Sequence, residues 1–275
     1  MTAPFGRRLT EKTGQRGPLC AGIDPHPGLL DAWGLERSVS GLEIFALSAA
    51  EVLAREVAVV KPQSAFFEAY GAPGIAVLEK VISVSRQAGA LVLLDVKRGD
   101  IGSTMGAYTA AYLNGDTALS ADAVTVSPYL GFGSLAPAIE TARERGRGVI
   151  MLARTSNPEA AELQNALLRN GKTVAQSIVD QVAAVNEGAD PLGDVGVVVG
   201  ATVEPGELDL GSLNGPILAP GFGAQGATVS DLRKLFGTGL KGVLPASSRD
   251  LLRHGPDPVA LRDAVRRTQA EIDGR

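Results

Sequence analysis

LVLLDVKRGDIGST, residues 91–104, is the stretch from which the rest of the chain can be read. Its apolar portion has strand length and does not alternate, which is how a parallel strand covered on both faces reads. It ends in charge: Asp95, Lys97 and Asp100 fall within six residues, with Ile101 and Thr104 just beyond. Charge at the end of a buried segment is expensive unless it is paired. The cluster is therefore either a structural ion pair with a helix cap at Asp100 or Ser103, or a catalytic device, and the stretch alone leaves both open.

The same pattern recurs along the chain. Apolar runs bounded by turn residues lie at 18–24, 57–62, 90–97, 122–127, 148–154, 195–201, 215–220 and 241–247. Between them are segments with helical spacing, most clearly 41–57 and 74–89; 173–188 is another, and 257–272 closes the chain. Eight alternations of this kind predict a (β/α)8 barrel, an α/β fold of the TIM type, ahead of an open doubly wound sheet. No linker interrupts residues 1–275, so one domain is expected. Residues 155–192 are longer than a single crossover needs and predict an extra helix or loop.

Composition narrows the function. The chain has 275 residues, 45% of them hydrophobic, and a net charge of −4. No basic stripe suggests a nucleic-acid surface; the arginines of 143–147 and of the C-terminal segment read as solvated helix faces. The single cysteine, Cys20, lies in an apolar run and reads as core, which excludes an internal disulfide and a cysteine-based zinc site. There is no apolar run of about 18 residues and no signal-like start, so no membrane partner and a cytoplasmic setting are expected.

A barrel places its chemistry at the C-terminal ends of the strands. The polar residues there are Asp24, Lys61, Asp95, Lys97, Asp100, Ser127, Arg154, Thr202 and Arg249, with Gln225 in the loop after the seventh run. Asp95 and Lys97 are two apart and should share a strand face; Asp100 and Thr104, four apart, should share a helix face. Two unit charges 4 Å apart attract by about 4 kcal/mol at an effective dielectric of 20. A lysine so flanked suits proton donation or stabilisation of a carbanion better than Schiff-base chemistry, which needs a depressed pKa. Lys61 and Asp24, each closing an apolar run, are either mouth residues or another ion pair.

APGFGAQGATVSD, residues 219–231, contains G-x-G-x-x-G at Gly221, Gly223 and Gly226. It follows the seventh run rather than the first, which disfavours a dinucleotide site. In a barrel that loop, with the N-terminus of the next helix and Arg249 after the eighth run, suits a phosphate. His26 and His254 are isolated and read as loop residues. No metal cage stands out, although Asp24, Asp95 and Asp100 could in principle hold Mg2+.

DVKRGDI, residues 95–101, matches the D-x-K-x-x-D-I signature of the orotidine 5′-phosphate decarboxylases. The resemblance continues through LCAGIDP (19–25), VVKPQSAFFE (59–68), DAVTVSPYLG (122–131), APGFGAQGA (219–227) and LPASSR (244–249). PQSAFFE and the 155–192 excursion resemble the longer bacterial subgroup. RTSN, after the fifth run, is only a loose match. The resemblance implies a metal-free, cofactor-free barrel homodimer that converts orotidine 5′-phosphate to uridine 5′-phosphate and CO2, the last step of de novo pyrimidine synthesis. It further implies a charged array of Lys61, Asp95 and Lys97 with Asp100 from the partner subunit, and Lys97 protonating the C6 carbanion. Asp24 would bind ribose hydroxyls with help from Thr104 of the other subunit, Ser127 would read the pyrimidine edge, and Gln225 and Arg249 would hold the phosphate under a lid formed by residues 221–229; Ile101 and Gly223 are further substrate-binding positions.

Three other readings remain. A related Mg2+-dependent sugar-phosphate decarboxylase or aldolase shares D-x-K-x-x-D but resembles this chain less at the second strand, where Lys61 replaces an acidic metal ligand. A Schiff-base aldolase would use Lys97 as nucleophile. A non-catalytic phosphate-binding module would not need a complete charged array.

Overall fold

The computed structural model describes residues 2–223, 226–237 and 240–274. Eight strands, β1 (Cys20–Ile23), β2 (Val59–Pro62), β3 (Leu91–Arg98), β4 (Ala123–Val126), β5 (Gly148–Arg154), β6 (Val195–Val199), β7 (Ile217–Pro220) and β8 (Val243–Ser247), form a closed parallel barrel in chain order. Closure is made by β1 and β8, where Cys20 stands beside Ala246. The architecture is the (β/α)8 barrel, and each strand lies on one of the apolar runs.

Alternation explains why those runs show no polar face. On β3, Leu91 and Leu93 point into the barrel and pack with Val59, Ala123, Ile150, Leu218 and Leu244. Val92 and Leu94 point outward into a separate shell formed with the surrounding helices. Both faces are dry, so both must be apolar, and fully burying each such side chain contributes about 1.5–3 kcal/mol.

The N-terminal end of the barrel is plugged by a helix, Phe5–Arg16. Phe5 and Leu9 are buried against the interior cluster. A side chain on Gly148 would come within 2.4 Å of the Phe5 ring, so β5 must begin on glycine. Polar contacts fasten the plug: Gly6 N–H donates to Asp194, and Arg8 donates to Asp122 at 2.8 Å and to the Gly146 carbonyl. Asp122 also receives Arg147 at 3.1 Å, Arg86 at 3.4 Å and the Val92 N–H. Burial opposes its charge, but the Val92 amide and the arginines hold its carboxyl below the ordinary range. Arg147 is thus a structural ion-pair partner and not part of a solvated face, because the chain turns at Gly146 and returns beneath β4.

Residues 155–192 contain a short helix, Ala160–Gln164, and the crossover helix Val174–Val185, capped by Thr173. Gln164 folds back to accept the Thr155 N–H at 2.8 Å, tying the excursion to the end of β5 at the barrel mouth. Among the described residues, no helix is long and apolar enough to cross a membrane.

Candidate active site

At the C-terminal mouth, β3 and β4 fall out of step. Leu94 pairs with Val124 but the next pair is Arg98 with Val126, so Asp95, Val96 and Lys97 together face Thr125. An excess of two residues preserves the inside–outside parity that one residue would reverse. Both Asp95 and Lys97 therefore reach the interior, and Lys97 Nζ donates to Asp95 Oδ1 at 2.6 Å. Lys97 takes a φ of +46°, a conformation that L side chains rarely adopt.

Lys61 enters from β2, donating to Asp95 Oδ2 at 3.2 Å and to Gln63 Oε1 at 3.3 Å. It also lies 3.8 Å from Asp24 Oδ1, at the end of β1. Burial works against the Lys61 charge, but Asp24 and Asp95 outweigh it and raise its pKa. Burial likewise opposes ionisation of Asp95, yet Lys61, Lys97 and the Thr125 hydroxyl bring its carboxyl down to about 2. The result is one ionised carboxylate clamped between two ammonium groups, with the second lysine 44% exposed and turned to the mouth. Cys20, deeper in the same barrel, has its thiol pushed up to about 12, chiefly by burial, and is inert core.

The array lines a cavity of about 340 Å³ bounded opposite by Gly221, Phe222, Ser248 and Arg249. Arg249 is exposed and makes no ion pair with a described residue. Beside it the Ser248 Oγ is buried without a hydrogen-bond partner among the described residues, and Ser248 does not cap the short helix Arg249–Leu252. The helix after β7, Val229–Phe236, is closed instead by a capping box between Thr228 and Asp231. That box satisfies a first-turn amide expected for an anion, so the uncapped amides beside the cavity belong to the turn after β8.

Of the residues expected at the site, Asp24, Lys61, Asp95, Lys97 and Arg249 line this cavity. Ser127, just beyond β4, does not line it; its N–H donates to the Arg98 carbonyl, with Gly99 packed so closely that a side chain there would meet the Ser127 carbonyl at 2.3 Å. Asp100 does not cap the next helix: Ile101 is the N-cap of Gly102–Tyr112, and Asp100 accepts the Ile101 N–H at 2.8 Å instead. Asp100 and Thr104 therefore share no helix face, because the helix starts later than expected. Ile101 and Thr104 are exposed. Gly223 adopts φ +75° and backs onto Asp250 rather than the cavity. Gln225 lies outside the described residues. Arg154 is held by Glu207 at 2.8 Å and ties β5 to the loop after β6, and exposed Thr202 lines a different depression.

Several lining residues were not anticipated: Gln63, Thr125, Thr155, Ser156, Asn157 and Ser248. Gln63 had a signal, two residues beyond Lys61 in the same alternation. Thr125 alternates with inward Ala123, but a single hydroxyl in an apolar strand attracts no notice. Among the described residues, no group of three His, Cys, Asp or Glu side chains gathers as a cation site.

Fold and site define a (β/α)8 barrel with, at one mouth, an ammonium–carboxylate–ammonium array and an arginine free of ion pairs among the described residues. Residues 17–262 match the Orotidine 5′-phosphate decarboxylase / HUMPS family. The chain is 58% identical over 267 residues to the orotidine 5′-phosphate decarboxylase of Salinispora tropica, covering 97% of this chain and 96% of that protein. It is 54% identical to the Streptomyces coelicolor enzyme of the same name over 270 residues, covering 98% and 97%. A crystal structure from Streptomyces avermitilis, 54% identical, superposes with a TM-score of 0.97 over 99% of this chain and 96% of that one. The Leishmania donovani OMP decarboxylase, 28% identical, gives 0.76 over 98% of each chain. The chain belongs to the orotidine 5′-phosphate decarboxylase / HUMPS family.

Proposed function

We propose that this protein is a carboxy-lyase that converts orotidine 5′-phosphate to uridine 5′-phosphate and CO2, acting in the cytoplasm in pyrimidine synthesis. The observation that carries the reading is the buried array Lys61–Asp95–Lys97, with Lys97 turned to the mouth opposite Arg249. A phosphate on Arg249 and the amides after β8 would leave the pyrimidine over the array. Binding energy from that remote group is then available at the reacting centre.

In the reaction the C6–carboxylate bond breaks, CO2 leaves, and its electron pair stays on C6. Lys97 stabilises that carbanion electrostatically and then transfers a proton to it. Asp95, ionised, holds the ammonium in place, while Lys61 balances Asp95 and keeps it charged. Asp24, whose Oδ1 is buried without a hydrogen-bond partner among the described residues, suits a ribose hydroxyl, and Ser127, just beyond β4, suits the pyrimidine edge.

The same reading makes the enzyme a homodimer with shared sites. Ile101, Tyr129 and Leu130 are exposed by 62%, 75% and 52% on the neighbouring loops after β3 and β4. An apolar patch beside the mouth suits a second copy of the chain, which would bring its Asp100, Ile101 and Thr104 to this site.

The test is the loss of orotidine 5′-phosphate absorbance with EDTA present. Turnover that survives chelation supports the reading; turnover abolished by EDTA and restored by Mg2+ favours the metal-dependent sugar-phosphate branch of the family.

A further inference from the structure

Thr125 is fully buried and stands opposite the three β3 residues Asp95, Val96 and Lys97. Its hydroxyl has one proton and two lone pairs. Three groups surround it: the Val96 and Lys97 N–H groups, each at 3.0 Å, and Asp95 Oδ1 at 2.7 Å. The two amides can only donate, and the ionised carboxylate can only accept. The hydroxyl proton must therefore point at Asp95, and both lone pairs are taken by the bulged backbone. No rotation is left to it.

This one group controls both supports of the exposed lysine. Lys97 holds a left-handed backbone conformation without being glycine, which persists only where the surroundings over-determine it. Among the described residues its ammonium has one partner, Asp95 Oδ1, the same oxygen that Thr125 grips. Remove the hydroxyl, and the buried Val96 amide and the part-buried Lys97 amide lose their acceptor while that oxygen loses a donor. Lys61 would still hold Asp95 through Oδ2, so the charge would remain while the geometry loosened.

We infer that Thr125 is a positioning residue for the decarboxylation: its hydroxyl locks the Asp95 carboxylate and the bulge carrying Lys97, and so fixes where the Lys97 ammonium meets the reacting carbon. The inference rests on the reading of Lys97 as proton donor. Displacing a reacting group by about 1 Å can cost about 100-fold in rate. Thr125→Val keeps the shape and removes the hydroxyl. Its kcat should fall by about 100-fold with KM within about threefold of wild type, because the phosphate corner is untouched. Thr125→Ser keeps the hydroxyl and should stay within about threefold of wild type in both.

A valine variant that folds and keeps wild-type kcat overturns the inference, as does a folded serine variant as slow as valine. If the valine variant does not fold, Thr125→Cys decides: a kcat well below that of serine supports the role, and parity with serine overturns it. Lys97→Ala is measured alongside. An active Lys97→Ala overturns the donor assignment and this inference with it; an inactive one beside a fully active Thr125→Val overturns this inference alone.

Discussion

Lys61 Nζ lies 3.2 Å from Asp95 Oδ2, and the two side chains are only 8% and 7% exposed. A buried pair of this kind gains little over an apolar pair but is costly to break, since the survivor is left charged and desolvated. Asp95→Asn should therefore destabilise the fold by about 3 kcal/mol, Asp24 softening the loss through its 3.8 Å approach to Lys61. Combining Asp95→Asn with Lys61→Met should recover part of that stability. Urea unfolding of wild type and the two variants checks this; an Asp95→Asn variant as stable as wild type would contradict it.

The same carboxylate predicts an acid limb to stability. Asp95 is brought from an ordinary 3.8 to about 2 in the folded chain. A group depressed on folding contributes stability that is complete above its unfolded pKa and is lost as pH falls through the folded value. The stability gap between wild type and Asp95→Asn should be constant from neutral pH to about 4 and shrink towards pH 2. Unfolding midpoints across that range measure it, and a gap that widens on acidification would show the sign to be wrong.

Lys97 should matter for turnover and little for folding. Its side chain is 44% exposed and, among the described residues, its one ion pair is to an aspartate that Lys61 also holds. General acid catalysis contributes about 10²–10⁴-fold. Lys97→Ala should lower kcat by at least about 10³-fold with an unchanged unfolding midpoint. Substantial residual uridine 5′-phosphate formation would remove it from the proton-donor role.

Arg249 should affect binding. It is exposed, free of ion pairs among the described residues, and at the cavity corner farthest in chain order from β1–β3. Hydrogen bonds to charged groups contribute about 1.5–3 kcal/mol, so Arg249→Ala should weaken uridine 5′-phosphate binding by about 10–100-fold. Uridine, lacking the phosphate, should bind as to wild type. Equal losses for both ligands, by calorimetry, would place Arg249 elsewhere than on the phosphate.

What was legible in the chain follows from what each part buries. All eight strands could be read because each is dry on both faces, and Asp24, Lys61, Asp95, Lys97 and Arg249 because charge at the end of a dry run stands out. The plug Phe5–Arg16 could not, since Phe5 and Leu9 are the only large apolar side chains it buries. Nor could the register shift at β3: no glycine marks it, and Lys97 carries its positive φ without a local signature. Thr125 and Ser248 were silent for another reason. Their roles lie in three-dimensional hydrogen-bond bookkeeping, which a lone hydroxyl in an apolar segment does not advertise.

Asp100 separates a self-contained site from a shared one. Its carboxylate accepts the Ile101 N–H of its own turn and lines no part of the cavity beside Lys97, although it lies only three residues on. The patch of Ile101, Tyr129 and Leu130 beside it is exposed. If the patch seats a second copy, each site takes Lys97 from one chain and Asp100 from the other. Lys97→Ala and Asp100→Ala chains should each be nearly inactive alone. Mixed in equal amounts with subunit exchange, half the dimers are hybrids, and each hybrid has one site with both residues intact. Activity should then recover to about a quarter of wild type. Subunit exchange shown by mass spectrometry without any recovery would mean that Asp100 serves its own chain.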